Sequence, residues 1–254
     1  MDSEFSEDAI LGGSIIIKQN KSGFRISSDS IFLAASVPGK IDQYILDVGA
    51  GTGAISLVLA KRYSKSKIYA IENFPAHIEL LSENILLNNL SHQITAIDSN
   101  ISKLDSVLFD QKFDHIVTNP PFYQKNNSRL PANLGKRVAL HEGDISMKSW
   151  INYCKNFLKV GGSFTLIIPY VRYDEVVEIF SSFFFTIRTM NLLPREGEEP
   201  KRSIIQGWSK GERKIQKFDC LVLHTKKNSA FTPRAENVLR GEDILELAEP
   251  LIEY

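Results

Sequence analysis

Asn119-Pro120-Pro121-Phe122 is the stretch of this sequence whose residue types are best suited to hold a reacting group. Two consecutive prolines fix the backbone and remove two N–H donors, which leaves carbonyl oxygens as acceptors. Asn119 adds a side-chain acceptor, and Phe122 adds a flat apolar face. The set suits a planar ring bearing an exocyclic –NH2 group: two acceptors take the two amino hydrogens while the ring stacks on the aromatic face. The lone pair of such a nitrogen is delocalised into the ring. Hydrogen bonds that favour a tetrahedral nitrogen free it to attack a methyl sulfonium in line. Asn119 carries no charge, so strong general-base catalysis is not expected there, and the proton leaves after transfer, when the nitrogen is cationic. The bland reading of the four residues alone is a rigid proline turn with a packing phenylalanine.

A second stretch supplies a place for the other reactant. Asp47-Val48-Gly49-Ala50-Gly51-Thr52-Gly53-Ala54 lies between the apolar runs 44–46 and 55–60. That order reads as a buried strand, a glycine turn and a helix. Glycines at alternate positions let the backbone turn tightly and approach a ligand. The helix N-terminus that follows favours a carboxylate or a phosphate. About 20 residues further on, the strand 68–72 ends in Glu72, an acid placed for ribose hydroxyls. Gly49-x-Gly51-x-x-Ala54 satisfies a dinucleotide fingerprint. The same residues, read as Asp-x-Gly-x-Gly-x-Gly, resemble the S-adenosylmethionine (SAM) loop of Rossmann-like methyltransferases. The acid is common to both, and only the second ligand gives Asn119-Pro120-Pro121-Phe122 a task.

The elements that position these residues alternate. Strands are expected at 44–46, 68–72, 94–98, 113–118 and 164–168, the last fully apolar as a buried parallel strand should be. Helices are expected from 55, over 75–90 with Ile78, Leu81 and Ile85 on one face, and over 146–158 and 173–183. Strands alternating with helices mean a parallel sheet covered on both faces. Residues 1–12 read as a poorly ordered lead-in, 14–18 and 24–26 as a hairpin around 19–23, and 27–35 as a short helix. Residues 203–208 and 218–224 read as antiparallel partners around a basic turn, 209–217. The tail from Phe231 is expected to end in an acidic, helix-like segment. No linker or repeat divides the chain, which predicts one methyltransferase-type domain over 1–254: hairpin and helix 1–43, core 44–224, tail 225–254.

Composition narrows the partners. The chain has 254 residues, 43% hydrophobic and 24% charged, and its 30 Lys+Arg balance 30 Asp+Glu. With zero net charge, any nucleic-acid binding rests on local patches. Cys154 and Cys220 form no metal pattern, and reduced thiols in a cytoplasmic protein are expected. No apolar run approaches the ~18 residues of a membrane span, and the acidic start, residues 1–8, is unlike a signal peptide. No metal and no membrane are expected as partners.

Asn-Pro-Pro-Phe after a strand, downstream of the glycine loop, resembles the amino-methyltransferases that act on adenine N6, guanine N2 or glutamine N5. The sizeable domains that precede the glycine loop in the glutamine and guanine enzymes are missing here. Gln19-x-x-x-Gly23-Phe24-Arg25-x-x-x-Asp29-x-x-x-Leu33-Ala34 and the loop from Pro194 to Arg202 resemble the bacterial tRNA1(Val) (adenine(37)-N6)-methyltransferase family. The resemblance covers roughly residues 11–224. It implies an α/β, Rossmann-like fold, with a mostly parallel doubly wound sheet, a late antiparallel strand pair and an N-terminal β-hairpin. It also implies SAM as cofactor, S-adenosylhomocysteine as product and tRNA as partner. Asn119, Pro120 and Phe122 would be the catalytic residues. Asp47, Gly49, Gly51, Gly53 and Glu72 would hold the cofactor, together with Phe74 and Asp98 at its adenine and Asp29 near its amino group. Arg129, Lys136 and Arg137 in the loop 123–142, and Lys214 in the basic cluster 210–217, are the candidate RNA contacts. A guanine-N2 or glutamine-N5 methyltransferase, or a non-catalytic SAM- and RNA-binding protein, are the alternatives.

Overall fold

The computed structural model describes residues 4–22, 25–101, 112–120, 146–226 and 229–251. Two strands, β1 (Phe5–Ile10) and β2 (Ile15–Asn20), form a hairpin by themselves. A helix α1 (Ser28–Ala34) follows, then β3 (Tyr44–Val48), α2 (Ala54–Arg62), β4 (Lys67–Glu72), α3 (Pro75–Leu87), β5 (Ile94–Asp98) and β6 (Phe113–Thr118). After these come α4 (Met147–Lys155), β7 (Leu158–Pro169), α5 (Tyr173–Phe183), β8 (Thr186–Leu193), β9 (Arg202–Trp208), β10 (Lys214–Lys217), β11 (Leu221–Val222) and α6 (Pro233–Arg240).

The second sheet runs β10-β8-β9-β7-β6-β3-β4-β5, with β11 also on β8. Only β9 is antiparallel to its neighbours, β7 and β8. Its central strands, β3, β6, β7 and β9, are buried on both sides over most of their length, which is why they read as largely apolar runs. Leu46, Val48, Ile116, Leu166, Ile168 and Ile205 pack on one face with α4 and α5. Ile45, Val117, Ile167 and Ile204 pack on the other, with α1 and α2. Successive residues of one strand enter opposite cores, so the sheet is doubly wound, as expected.

Four expectations are corrected. The lead-in is a strand: β1 pairs β2 from Phe5↔Asn20 to Ile10↔Ile15. Its acidic residues disguised it, yet Asp8 is held by Gln19 across the hairpin and by Arg25 just beyond it. The hairpin turn is therefore Leu11–Gly13, all three residues in the left-handed region, rather than 19–23. Next, 203–208 and 218–224 do not pair. β9 inserts between β7 and β8, and residues 214–217 form the edge strand β10 beside β8. Finally, the tail's full helix is α6, capped by the Thr232 hydroxyl, and its acidic end makes only a single 3-10 turn, Glu246–Ala248, within an otherwise irregular strap. Leu245 N–H donates to Ala35 O, and Gln206 Nε2 donates to both Ser36 O and Leu247 O. Arg62 and Arg188 donate to Asp243 O and Glu249 O.

Candidate active site

The carboxyl ends of β3, β4 and β6 meet at the glycine loop. Gly49 N–H and Ala50 N–H both donate to Ile71 O at 2.9 Å, hooking the loop over the end of β4. Gly49, Gly51 and Gly53 have φ of 73°, 58° and 97°, a region that disfavours any side chain. A Cβ at Gly53 would meet Leu81 Cδ1 at 2.6 Å, so this glycine lets α3 press against the loop. A Cβ at Gly49 or Gly51 would meet nothing within 4 Å, so these two glycines border open space. Thr118 Oγ1 donates to Val48 O at 2.7 Å, fastening the end of β6 to β3 one residue before the loop. Asn119 thereby comes to line one pocket with Gly49, Thr52, Ile26, Ser30 and His77. Its Oδ1 is buried and has no partner among the described residues. Leaving such an acceptor unpaired is costly, so it is a place for a donor from outside the chain.

Glu72 is tied down from three sides. Gly51 N–H donates to Oε2 at 2.8 Å, and Asn73 and Phe74 N–H donate to Oε1 at 2.9 Å each. Oε1 thus has two donors, and Oε2 keeps capacity for a ligand hydroxyl. Asp47 is fully buried, accepts from Ser56 Oγ at 2.7 Å, and has its Oδ1 without a partner among the described residues. Burial, with a smaller push from the charge of Glu72, raises its carboxyl to about 7 against the opposing Ser56 bond. Burial also lowers His77 below the ordinary imidazole range, with Glu72 opposing. The donor set and the open space at Gly49 and Gly51 fit an adenosyl ligand: Glu72 for the sugar, and the loop and the α2 N-terminus for a carboxylate.

A family model described as the methyltransferase small domain matches residues 22–182. A Porphyromonas gingivalis (strain ATCC 33277) protein named tRNA1(Val) (adenine(37)-N6)-methyltransferase is 31% identical over 223 residues, which is 82% of this chain and 84% of that one. The chain belongs to this methyltransferase family. Its methyl donor is S-adenosylmethionine. A Flavobacteriaceae bacterium (strain 3519-10) relative of the same name is 29% identical, over 75% of this chain and 79% of its own. Among solved structures, protein Atu636 of Agrobacterium tumefaciens, a predicted O-methyltransferase, superposes with a TM-score of 0.68 at 20% identity, covering 85% of this chain and 98% of that one. M. jannaschii TYW2 in complex with AdoMet gives 0.58 at 15% identity, over 82% and 87%. At those identities the two structures speak for the fold alone.

In this methyltransferase the other residues singled out in the sequence scatter more. Phe74 stands at the N-cap of α3, its ring against His77 at 4.8 Å. Asp98 ends β5 opposite Glu72 in register and is exposed. Asp29 is engaged by Arg202, whose Nε donates to its Oδ2 at 2.8 Å, so its charge is already balanced beside the pocket. Pro120 is buried next to Asn119. Lys214 lies exposed on β10 and pairs with Glu212 at 2.9 Å. Phe122, Arg129, Lys136 and Arg137 lie outside the described residues. Sequence reasoning missed Ser30, Thr52 and His77, all of which line the pocket. His77 was within reach: it falls in the first turn of a helix that begins three residues after Glu72.

Proposed function

We propose that the chain transfers the methyl group of SAM to N6 of adenine 37 in tRNA1(Val), in the cytoplasm, working as one methyltransferase domain. The buried, unpartnered Oδ1 of Asn119, in one pocket with the glycine loop, carries this reading. The names of the relatives support the substrate. Bound on the loop and Glu72, SAM supplies an electrophilic methyl carbon on a sulfonium.

The chain's own part is to hold the amino group. Asn119 Oδ1 accepts one N6 hydrogen. Pro120, without an N–H of its own, offers its carbonyl to the other. Both bonds strengthen as the nitrogen becomes tetrahedral and acquires positive charge, which places their gain in the transition state. No charged base is required: the methylated nitrogen is strongly acidic until it loses its proton. Phe122 supplies the stacking face, and Arg129, Lys136, Arg137 and Lys214 serve as phosphate contacts.

Nucleoside mass spectrometry of tRNA treated with the protein and SAM tests this. N6-methyladenosine at position 37 is expected, and methylated guanine, methylated glutamine in a lysate, or no transfer with SAM still bound would each overturn it. Asn119→Ala is expected to lower the single-turnover rate by about 100-fold while SAM affinity stays nearly constant. Asn119→Asp, which keeps an acceptor, is expected to retain partial activity.

A further inference from the structure

Helix α3 joins two parts of the molecule that the reaction does not obviously connect. Asn84, fully buried, accepts Lys18 N–H on Oδ1 at 2.7 Å and donates from Nδ2 to Lys18 O at 2.9 Å. Four residues on, Asn88 repeats the pattern with Ile16 N–H at 3.0 Å and Ile16 O at 2.7 Å. The spacing explains why this works. Four residues of helix rise about 6 Å, and two residues of strand about 6.6 Å, so two side-chain amides can stand in for a neighbouring strand. The outer edge of the N-terminal hairpin is closed in this way.

Asn84 has a further hydrogen, and it goes to the glycine loop: Nδ2 donates to Thr52 O at 2.9 Å. Asn88 makes no such bond; its other donation is to Asn84 O within the helix. Three residues before Asn84 on the same helix, Leu81 lies in the space that a Cβ at Gly53 would need. Thr52 and Gly53 are thus braced from behind by α3, whose first turn also carries His77 into the pocket.

We propose that Asn84 is a positioning residue for the cofactor loop, and that through it the docking of the N-terminal hairpin and the binding of SAM are linked. The inference rests on the reading of the glycine loop as the SAM site. A loop held in its binding shape by Asn84 needs less ordering when ligand arrives, and linkage makes the effect mutual: SAM tightens the hairpin as much as the hairpin tightens SAM.

Hydrogen exchange on the full chain, followed at the amides of Ile16 and Lys18 with and without saturating SAM, tests this. SAM is expected to slow their exchange by about fivefold or more. Asn84→Asp keeps the acceptor for Lys18 N–H and removes both donated bonds. It is expected to raise the Kd for SAM about tenfold and to abolish the protection, while kcat at saturating SAM stays within about twofold. Asn88→Ala removes two hairpin bonds, where Asn84→Asp removes one, and none to the loop, and is expected to speed exchange at Ile16 with a much smaller change in SAM affinity. Equal effects of the two variants on SAM would mean general loosening and would overturn the proposal. If Asn84→Asp does not fold, the wild-type exchange decides alone: SAM bound without protection of Ile16 and Lys18 overturns the inference. Failure of the wild type to bind SAM overturns the cofactor reading and this inference with it.

Discussion

Asp47 and His115 are both buried ionisable groups, and they oppose one another. Burial raises Asp47 from 3.8 to about 7, so its contribution to stability is full below pH 3.8 and is lost as pH rises through about 7. His115 accepts at Nδ1 from Ser163 Oγ and faces Gln43 Oε1 with Nε2. That oxygen also takes Lys40 N–H, so Nε2 carries the ring proton, and burial keeps the ring neutral at pH 7. Burial lowers its pKa from 6.5 to about 4, so its contribution is full above 6.5 and is lost as pH falls through about 4. Between pH 4 and 6.5 the two slopes cancel in part. Asp47→Asn is expected to raise the melting temperature at pH 7 by several degrees and to make stability fall more steeply on acidification. His115→Gln is expected to make it fall less steeply. Melting curves from pH 4 to 7 check both, and parallel curves for wild type and variants would refute the assignment. At Glu72, a carboxamide would turn an –NH2 against backbone N–H donors. Glu72→Gln is therefore expected to weaken SAM by roughly 1.5–3 kcal/mol in a calorimetric titration.

The glycine loop behaves as an element whose glycines do two kinds of work. Gly53→Ala forces a methyl against Leu81 and a left-handed backbone, at a cost of about 1–2 kcal/mol for the backbone alone. It is expected to lower the melting temperature most. Gly49→Ala meets open space and bears only the backbone cost, yet its methyl points where ligand belongs, so it is expected to lose SAM binding out of proportion to stability. Melting and titration of both variants separate the two outcomes. This loop, β3, β4 and β6 were legible because each announces itself locally, as an apolar run or a glycine spacing. β1 was hidden by charge: Glu7 and Asp8 face a partner strand that only the fold supplies. β10 is exposed along its whole length and has no apolar pattern to read. The placement of β9 between β7 and β8, and the Arg202–Asp29 pair 173 positions apart, follow from chain crossing, which no local window contains.

Across the whole molecule, charges balance, and among the described residues no helix is long and apolar enough to cross a membrane. Affinity for RNA must then come from patches. Lys210, Lys214 and Lys217, all exposed, lie within one eight-residue stretch at the sheet edge. Replacing the three by alanine is expected to reduce the salt slope of tRNA binding by roughly one unit for each lost phosphate contact. An unchanged slope would leave the edge strand without a part in recognition. The strap 241–251 returns from α6 to α1 and the sheet, and its backbone oxygens take Arg62, Arg188 and Gln206. Helix α1, which brings Ser30 to the pocket, is held against the molecule through Ala35 O by Leu245. A ribosome makes the glycine loop early, at about 5–20 residues per second, and the strap some 190 residues later. A nascent chain can therefore pair its central strands while the wall of its cofactor pocket still lacks the segment that fastens it.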